Sequence, residues 1–197
     1  MRAAIRNPLS AVSFCGEMRL VAALLFVFVG CSRATNDELE ARNATIAFYD
    51  VYMKLRPSGV PPEDQQLQLK KVISAGLADL LHKASVAEGN DSKETKDGVP
   101  PRIEGDLFTS LDQGAVSYKV LQCERQKESS TCIVELANID DRDNSEFTWK
   151  DRVFVVREGN RFVVDDIEYL GERQFMHKGR LKDILSKVVE ERKKGAS

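Results

Sequence analysis

The chain has 197 residues, with 29 basic side chains against 31 acidic ones, a single tryptophan and four cysteines. Charge that nearly cancels does not imply the strongly basic face that nucleic acid requires, and no nucleic-acid partner is expected. The length suits one domain of common size with a hydrophobic core of its own.

Residues 18–34 read MRLVAALLFVFVGCSRA, and residues 20–30 run eleven positions without a charge. A helix that spans a bilayer needs about 20 such residues, whereas the apolar core of a secretory signal runs to roughly 7–15. Arg19 supplies the positive flank and Gly30 a small residue at the cleavage position. The box Phe28-Val29-Gly30-Cys31 resembles a bacterial lipoprotein signal, with Phe28 where leucine is usual. The resemblance implies a diacylglyceryl thioether on Cys31, cleavage before it and acylation of the new amine by a chain such as palmitate. Several acyl chains hold a protein on a membrane stably where one does so marginally. Ser32, in place of the aspartate that retains lipoproteins in the inner membrane, points to the outer membrane facing the periplasm. Met18 then reads as the true start, and Cys15 leaves with the leader. Losing three arginines and one glutamate leaves 26 basic against 30 acidic residues, a mature net charge of about −4.

The chain divides into a leader and signal over 1–30, a lipidated tether over 31–37, a domain over 38–172 and a C-terminal helix over 173–197. After the tether, Asn36 or Asp37 can cap a helix in which Ala44, Phe48, Val51, Tyr52 and Leu55 recur at helical spacing. Pro57-Ser58-Gly59 ends it. A second helix starts after Pro61-Pro62 and carries Leu67, Leu69, Val72 and Ile73, and Ser74-Ala75-Gly76 interrupts it before Leu77, Leu80, Leu81 and Ala84. Residues 87–105 are polar with glycines and prolines, which reads as a surface loop. The period then changes to two. Strands are expected over 115–123, 132–139, 147–158 and 161–170, the last two joined by a tight turn at Gly159-Asn160. A last helix over 175–193 presents Leu181, Ile184, Leu185, Val188 and Val189 on one face. Helices followed by consecutive strands with short links predict an α+β fold: N-terminal helices packed on a curved antiparallel four-stranded meander, plus a C-terminal helix.

That order, with Phe48-Tyr49 and Tyr52 in the first helix, Gly105-Asp106-Leu107-Phe108 before the strands and FVVDDI at 162–167, resembles a family of uncharacterised bacterial lipoprotein and periplasmic domains typified by the enteric lipoprotein YbjP. Family members often carry tryptophan where this chain has Phe162, and proline where it has Leu107. The resemblance implies a cone-like fold similar to nuclear transport factor two and the SnoaL polyketide cyclases. It brings no established catalytic residues, so none are carried over.

Cys123 ends one expected strand and Cys132 starts the next, with eight polar residues between them. A hairpin sets such positions opposite one another within disulfide reach, and the envelope outside the inner membrane is oxidising. A metal site would need two further ligands nearby, and the two histidines, His82 and His177, are distant in sequence. Asp140-Asp141-Arg142-Asp143-Asn144 lacks the glycine and distal glutamate of a calcium loop and reads as a polar turn. No metal and no cofactor are therefore expected.

The best catalytic-looking feature is Asp165-Asp166, where one carboxylate can project into a pocket with Trp149 and Tyr52 and act as a general base with a raised pKa. His82 and His177 read as helix-surface residues. Two functions follow. The first is a non-enzymatic, lipid-anchored envelope protein that binds another envelope protein or a small apolar ligand, an immunity or inhibitor role included. The alternative is a periplasmic isomerase or dehydratase using Asp165 or Asp166.

Overall fold

A computed structural model describes the backbone of residues 28–89 and 103–195, and the side chains of 36–89 and 103–191. The expected leader through residue 27, with Cys15 and Met18, and the Cys31 side chain lie outside the described residues.

Helix α1 (Phe28–Leu55) is followed by α2 (Glu63–Leu69) and α3 (Ala75–Glu88). Then come β1 (Ser117–Arg125), β2 (Ser129–Ile139), β3 (Glu146–Glu158), β4 (Arg161–Tyr169) and β5 (Gly179–Arg180), and last α4 (Leu181–Gly195). The sheet is an antiparallel meander in the order β1-β2-β3-β4-β5. The expected α+β architecture is thus the observed one, with a fifth, two-residue strand added at the edge. Among the described residues, no helix is long and apolar enough to cross a membrane.

Several boundaries differ from the expectation: β1 runs over Ser117–Arg125 rather than 115–123, β2 opens at Ser129 rather than 132, and α2 stops at Leu69 ahead of Val72 and Ile73. Three more have a local reason. The tether expected over 31–37 is already helical, because no proline or glycine separates Cys31 from the body of α1. The last helix begins at Leu181 rather than 175, because Gly179 sits at φ +86° and opens a short strand instead. The polar stretch expected to be a loop over 87–105 gives up both ends. Glu88 closes α3, and Ile103 is buried beneath the turn that follows.

The inner sheet face buries Val120, Val134, Leu136, Trp149, Val153, Val155, Val164 and Ile167. Against it α1 lays Ala41, Phe48, Tyr49 and Tyr52, and Phe108 from the loop before β1 packs edge-on to Phe48 and Tyr52. This fills the space between helix and sheet with aromatic rings. The outer face instead carries paired charges, with Glu135 opposite Lys150 and Arg152 bonded to Glu168. Ser74 does more than interrupt the second helix. Its Oγ accepts the Leu77 N–H at 3.0 Å and so caps α3, while its own N–H donates to the Val164 carbonyl at 2.8 Å and ties the helices to β4.

Candidate functional site

The residues expected to share a pocket do not. Asp165 lies at a β-bulge, where β4 has one residue more than β3 between the Phe154–Asp166 and Val155–Val164 pairs. Its carboxylate accepts from Ser74 Oγ at 2.6 Å and from Lys182 Nζ at 2.6 Å, and so ties the α3 cap, the bulge and α4 together. Asp166 is buried and points to the α4 side of the sheet. Its Oδ1 accepts the backbone N–H groups of Ile167 at 2.9 Å and Lys182 at 3.1 Å, an N-terminal cap for α4 supplied from a neighbouring strand. Burial pushes the Asp166 pKa up, against the pull of those two N–H groups and of Arg180. Both aspartates therefore hold the C-terminal helix in place.

Trp149 and Tyr52 lie on the other side of the sheet, and there the structure assembles a polar cluster that sequence reasoning missed. Its members are Asp151 on β3 and Asp106 from the Gly105-Asp106-Leu107-Phe108 turn. Asp151 is wholly buried and receives the Ser110 N–H at 2.8 Å, the Leu170 N–H at 3.0 Å, Trp149 Nε1 at 3.2 Å and the Ser110 hydroxyl. Burial raises its pKa, and these donors oppose the rise. Asp106 accepts the Phe108 N–H at 2.7 Å and a hydrogen bond from Tyr52. Tyr52 Oη in turn accepts the Ala115 N–H at 3.0 Å. Desolvation pushes the Asp106 pKa from 3.8 to about 7. The Tyr49 hydroxyl is buried beside these carboxylates without a hydrogen-bond partner, and desolvation raises its pKa too. The turn needs Gly105, which sits at φ +79° with the Asp112 carbonyl 2.8 Å from where a Cβ would stand.

His177 departs from the expected helix-surface position. It lies in the loop before α4, with Nε2 2.9 Å from the Asp106 carbonyl and 2.8 Å from Asp112 Oδ1, and it fastens that loop over the turn. His82 is exposed on α3, as its place in the helix suggested. Carboxylate, tyrosine and histidine thus come together, but Asp106 and Tyr52 are 4% and 1% exposed. One surface groove among the described residues reaches Trp149 and Leu170, which both donate to Asp151, and another reaches Gly105 of the turn. The cluster ties the loop, α1 and β3 together.

Cys123 and Cys132 are opposed in the β1–β2 register and form a disulfide, with Cα atoms 4.1 Å apart. The hairpin they close is strapped to the N-terminal half of α1. Arg125 pairs with Asp37 at 3.2 Å, and Arg42 donates to the Val120 and Leu121 carbonyls, both at 2.7 Å, where β1 bulges. Replacing both cysteines by serine is expected to cost about 2–3 kcal/mol from the loop-closure entropy alone. Urea unfolding of the oxidised protein and the double variant measures this. Equal midpoints would show that the strap to α1 already fixes the hairpin.

At the other end of α1 lies an open groove of about 520 Å³. Arg56 enters it from the helix terminus, Arg142 from the β2–β3 turn and Arg173 from the loop after β4. Arg56 takes φ +41°, a left-handed conformation unusual for a side chain of its size, and its N–H closes the last helical turn on the Tyr52 carbonyl at 2.8 Å. Arg142 is bonded to Asp140 through Nε at 2.9 Å and Nη2 at 2.6 Å, which holds the Asp140 carboxyl well below the usual range. Arg173 lies 3.9 Å over the Phe147 ring. Neither Arg56 nor Arg173 has an ion-pair partner among the described residues. Val116, Ile139 and Phe175 also line the groove while remaining solvent-exposed. Among the described residues, no cluster of histidine, cysteine or carboxylates is arranged to hold a metal ion. No family model, curated protein or solved structure matches the chain.

Proposed function

We propose that this chain is a lipid-anchored envelope protein whose folded part binds another envelope protein and carries out no reaction of its own. Cys31, at the end of an eleven-residue apolar run, is the proposed anchor, with the mature domain on the periplasmic face of the outer membrane. The Cys123–Cys132 disulfide supports an oxidising compartment. The observation that carries the binding reading is where the open and closed sites fall. The carboxylates able to do acid–base chemistry are buried or tied into helix caps, whereas the open groove is lined by arginine and phenylalanine. Arginine and aromatic side chains are the ones enriched where proteins bind one another. Inhibition of an incoming protein is one form that such binding can take.

The Cys31→Ala change is expected to move the protein from the membrane fraction to the soluble periplasmic fraction and to abolish incorporation of labelled palmitate. Membrane retention and palmitate labelling that both survive the change would overturn the anchor. Loss of palmitate with retention in the membrane would assign the attachment to some other segment.

A further inference from the structure

We propose that the groove at the Arg56 end of α1 receives an acidic segment of a partner protein, one that carries phenylalanine or leucine between its carboxylates. The proposal rests on the binding reading above and gives the partner its chemistry. The lining combines three arginines with Phe147 and Phe175, and among the described residues it contains no lysine and no glutamate. The chain as a whole has 14 lysines and 16 glutamates, and the other grooves among the described residues each carry at least one of the two types. Lysine and glutamate are the types that interface cores shed, and arginine and aromatics the ones they gather.

The charge in the groove selects the sign of the partner. Three arginines face two aspartates, Asp140 and Asp141, and Asp140 is already committed to Arg142. Arg56 makes no ion pair among the described residues, and Arg173, held over the Phe147 ring in the field of Asp140, makes none within 4 Å; each presents a planar fork of donors, the geometry that matches a carboxylate in two parallel bonds. This local positive excess stands in a chain of net charge −2. The apolar part of the partner follows from Val116, Ile139 and Phe175, which are 38%, 44% and 55% exposed. They are three of the six large apolar side chains exposed among the described residues, and all three converge on this one groove. Apolar groups gathered in this way mark a contact surface where scattered ones do not. A volume of about 520 Å³ suits the side chains of one short segment better than a whole helix.

Under the anchor reading, position separates the groove from the lipid attachment. From Cys31 to Arg56 the chain is helical up to the last residue, and 25 residues of helix span roughly 38 Å. The groove therefore lies at the opposite end of α1 from the proposed anchor.

Three fluorescein-labelled octapeptides test the assignment against the purified protein, one alternating Asp with Phe, one Lys with Phe and one Asp with Ser. Fluorescence anisotropy is expected to show binding of the Asp–Phe peptide and at least tenfold weaker binding of the other two. Arg173→Glu and Phe175→Ser should each weaken the Asp–Phe peptide at least tenfold. Arg157→Glu, far from the groove on β3, should leave it unchanged, with circular dichroism confirming that each variant folds. Failure of the Asp–Phe peptide to bind overturns the proposal, as does binding that ignores both groove variants. Equal binding of the Asp–Ser peptide would make this a site for simple anions and overturns it as well. A dimer in sedimentation that Phe175→Ser dissolves would assign the groove to a second copy of the chain. The lipidated and Cys31→Ala forms should bind alike, so loss of the anchor reading leaves this result standing, and failure here leaves the anchor untouched.

Discussion

Asp151→Ala is expected to destabilise the fold by about 3–5 kcal/mol, the range for breaking a buried charged network by removing one partner. Three backbone or ring N–H groups, those of Ser110, Leu170 and Trp149, would be left facing a cavity without an acceptor. They come from three different places: the turn before β1, the end of β4 and β3 itself. One side chain therefore holds together segments that share no backbone ladder at that point, and losing it frees all of them. Every neighbour of the carboxylate donates, which argues that the ionised form fits the site even though burial pushes its pKa up. Asp151→Asn should cost less. If its amide nitrogen takes the Oδ1 place, Ser110 Oγ can turn and accept, which leaves the Leu170 N–H as the main orphan. Thermal unfolding is expected to show a drop on the order of 10 °C for the alanine variant and a smaller one for asparagine. A loss below about 1 kcal/mol for Asp151→Ala would show that water replaces the carboxylate and that the lock is not structural.

Why the sequence hid this cluster while showing so much else is a matter of period and partner. Val153, Val155, Val134 and Leu136 announce a buried face by alternation, and Asp151 occupies the next position of the same alternation in β3. A charged residue at an inward position looks like an interruption until its donors are known, and those donors lie 41 and 19 residues away at Ser110 and Leu170. Asp106 stands in the Gly105-Asp106-Leu107-Phe108 turn, but nothing local says that the aspartate faces inward. Asp165-Asp166 drew notice as adjacent carboxylates on a strand. The bulge at Asp165 and the helix that starts at Leu181 set their roles, and neither can be seen from the pair itself. The disulfide was legible because register and compartment both pointed to it. The groove was not, since Arg56, Arg142, Arg173 and Phe175 reach one place only after three separate loops are laid side by side.

The second large effect is a dependence of stability on pH that runs opposite to ordinary acid denaturation. Asp106 has a pKa of about 7 in the folded protein against 3.8 for the free side chain. A carboxyl raised on folding binds its proton more tightly in the native state, so its contribution is full below pH 4 and is lost as pH rises towards 7. A shift of that size corresponds to about 4 kcal/mol between the two limits. Asp151 and Asp166 are raised as well and tilt the profile the same way. Asp140 and Asp143 are lowered and tilt it the other way, but Asp143 is exposed and the Arg142 that pairs with Asp140 is itself largely solvated, where ion pairs contribute little. The groups around Asp106 are Tyr52 and Thr109, which hydrogen-bond to it, and Tyr49 and Tyr169, whose own raised pKa values keep them neutral throughout this range. The urea midpoint is therefore expected to be higher at pH 4.5 than at pH 7.5. Asp106→Asn, which mimics the protonated acid and keeps an acceptor for the Phe108 N–H, should flatten much of the slope while leaving the fall due to Asp151 and Asp166. A midpoint that rises from pH 4.5 to 7.5 in the parent protein, or a slope that the asparagine variant leaves intact, would show that Asp106 is ionised in the fold at little cost. In that case its bonds from Phe108 and Tyr52 would outweigh the desolvation that burial imposes.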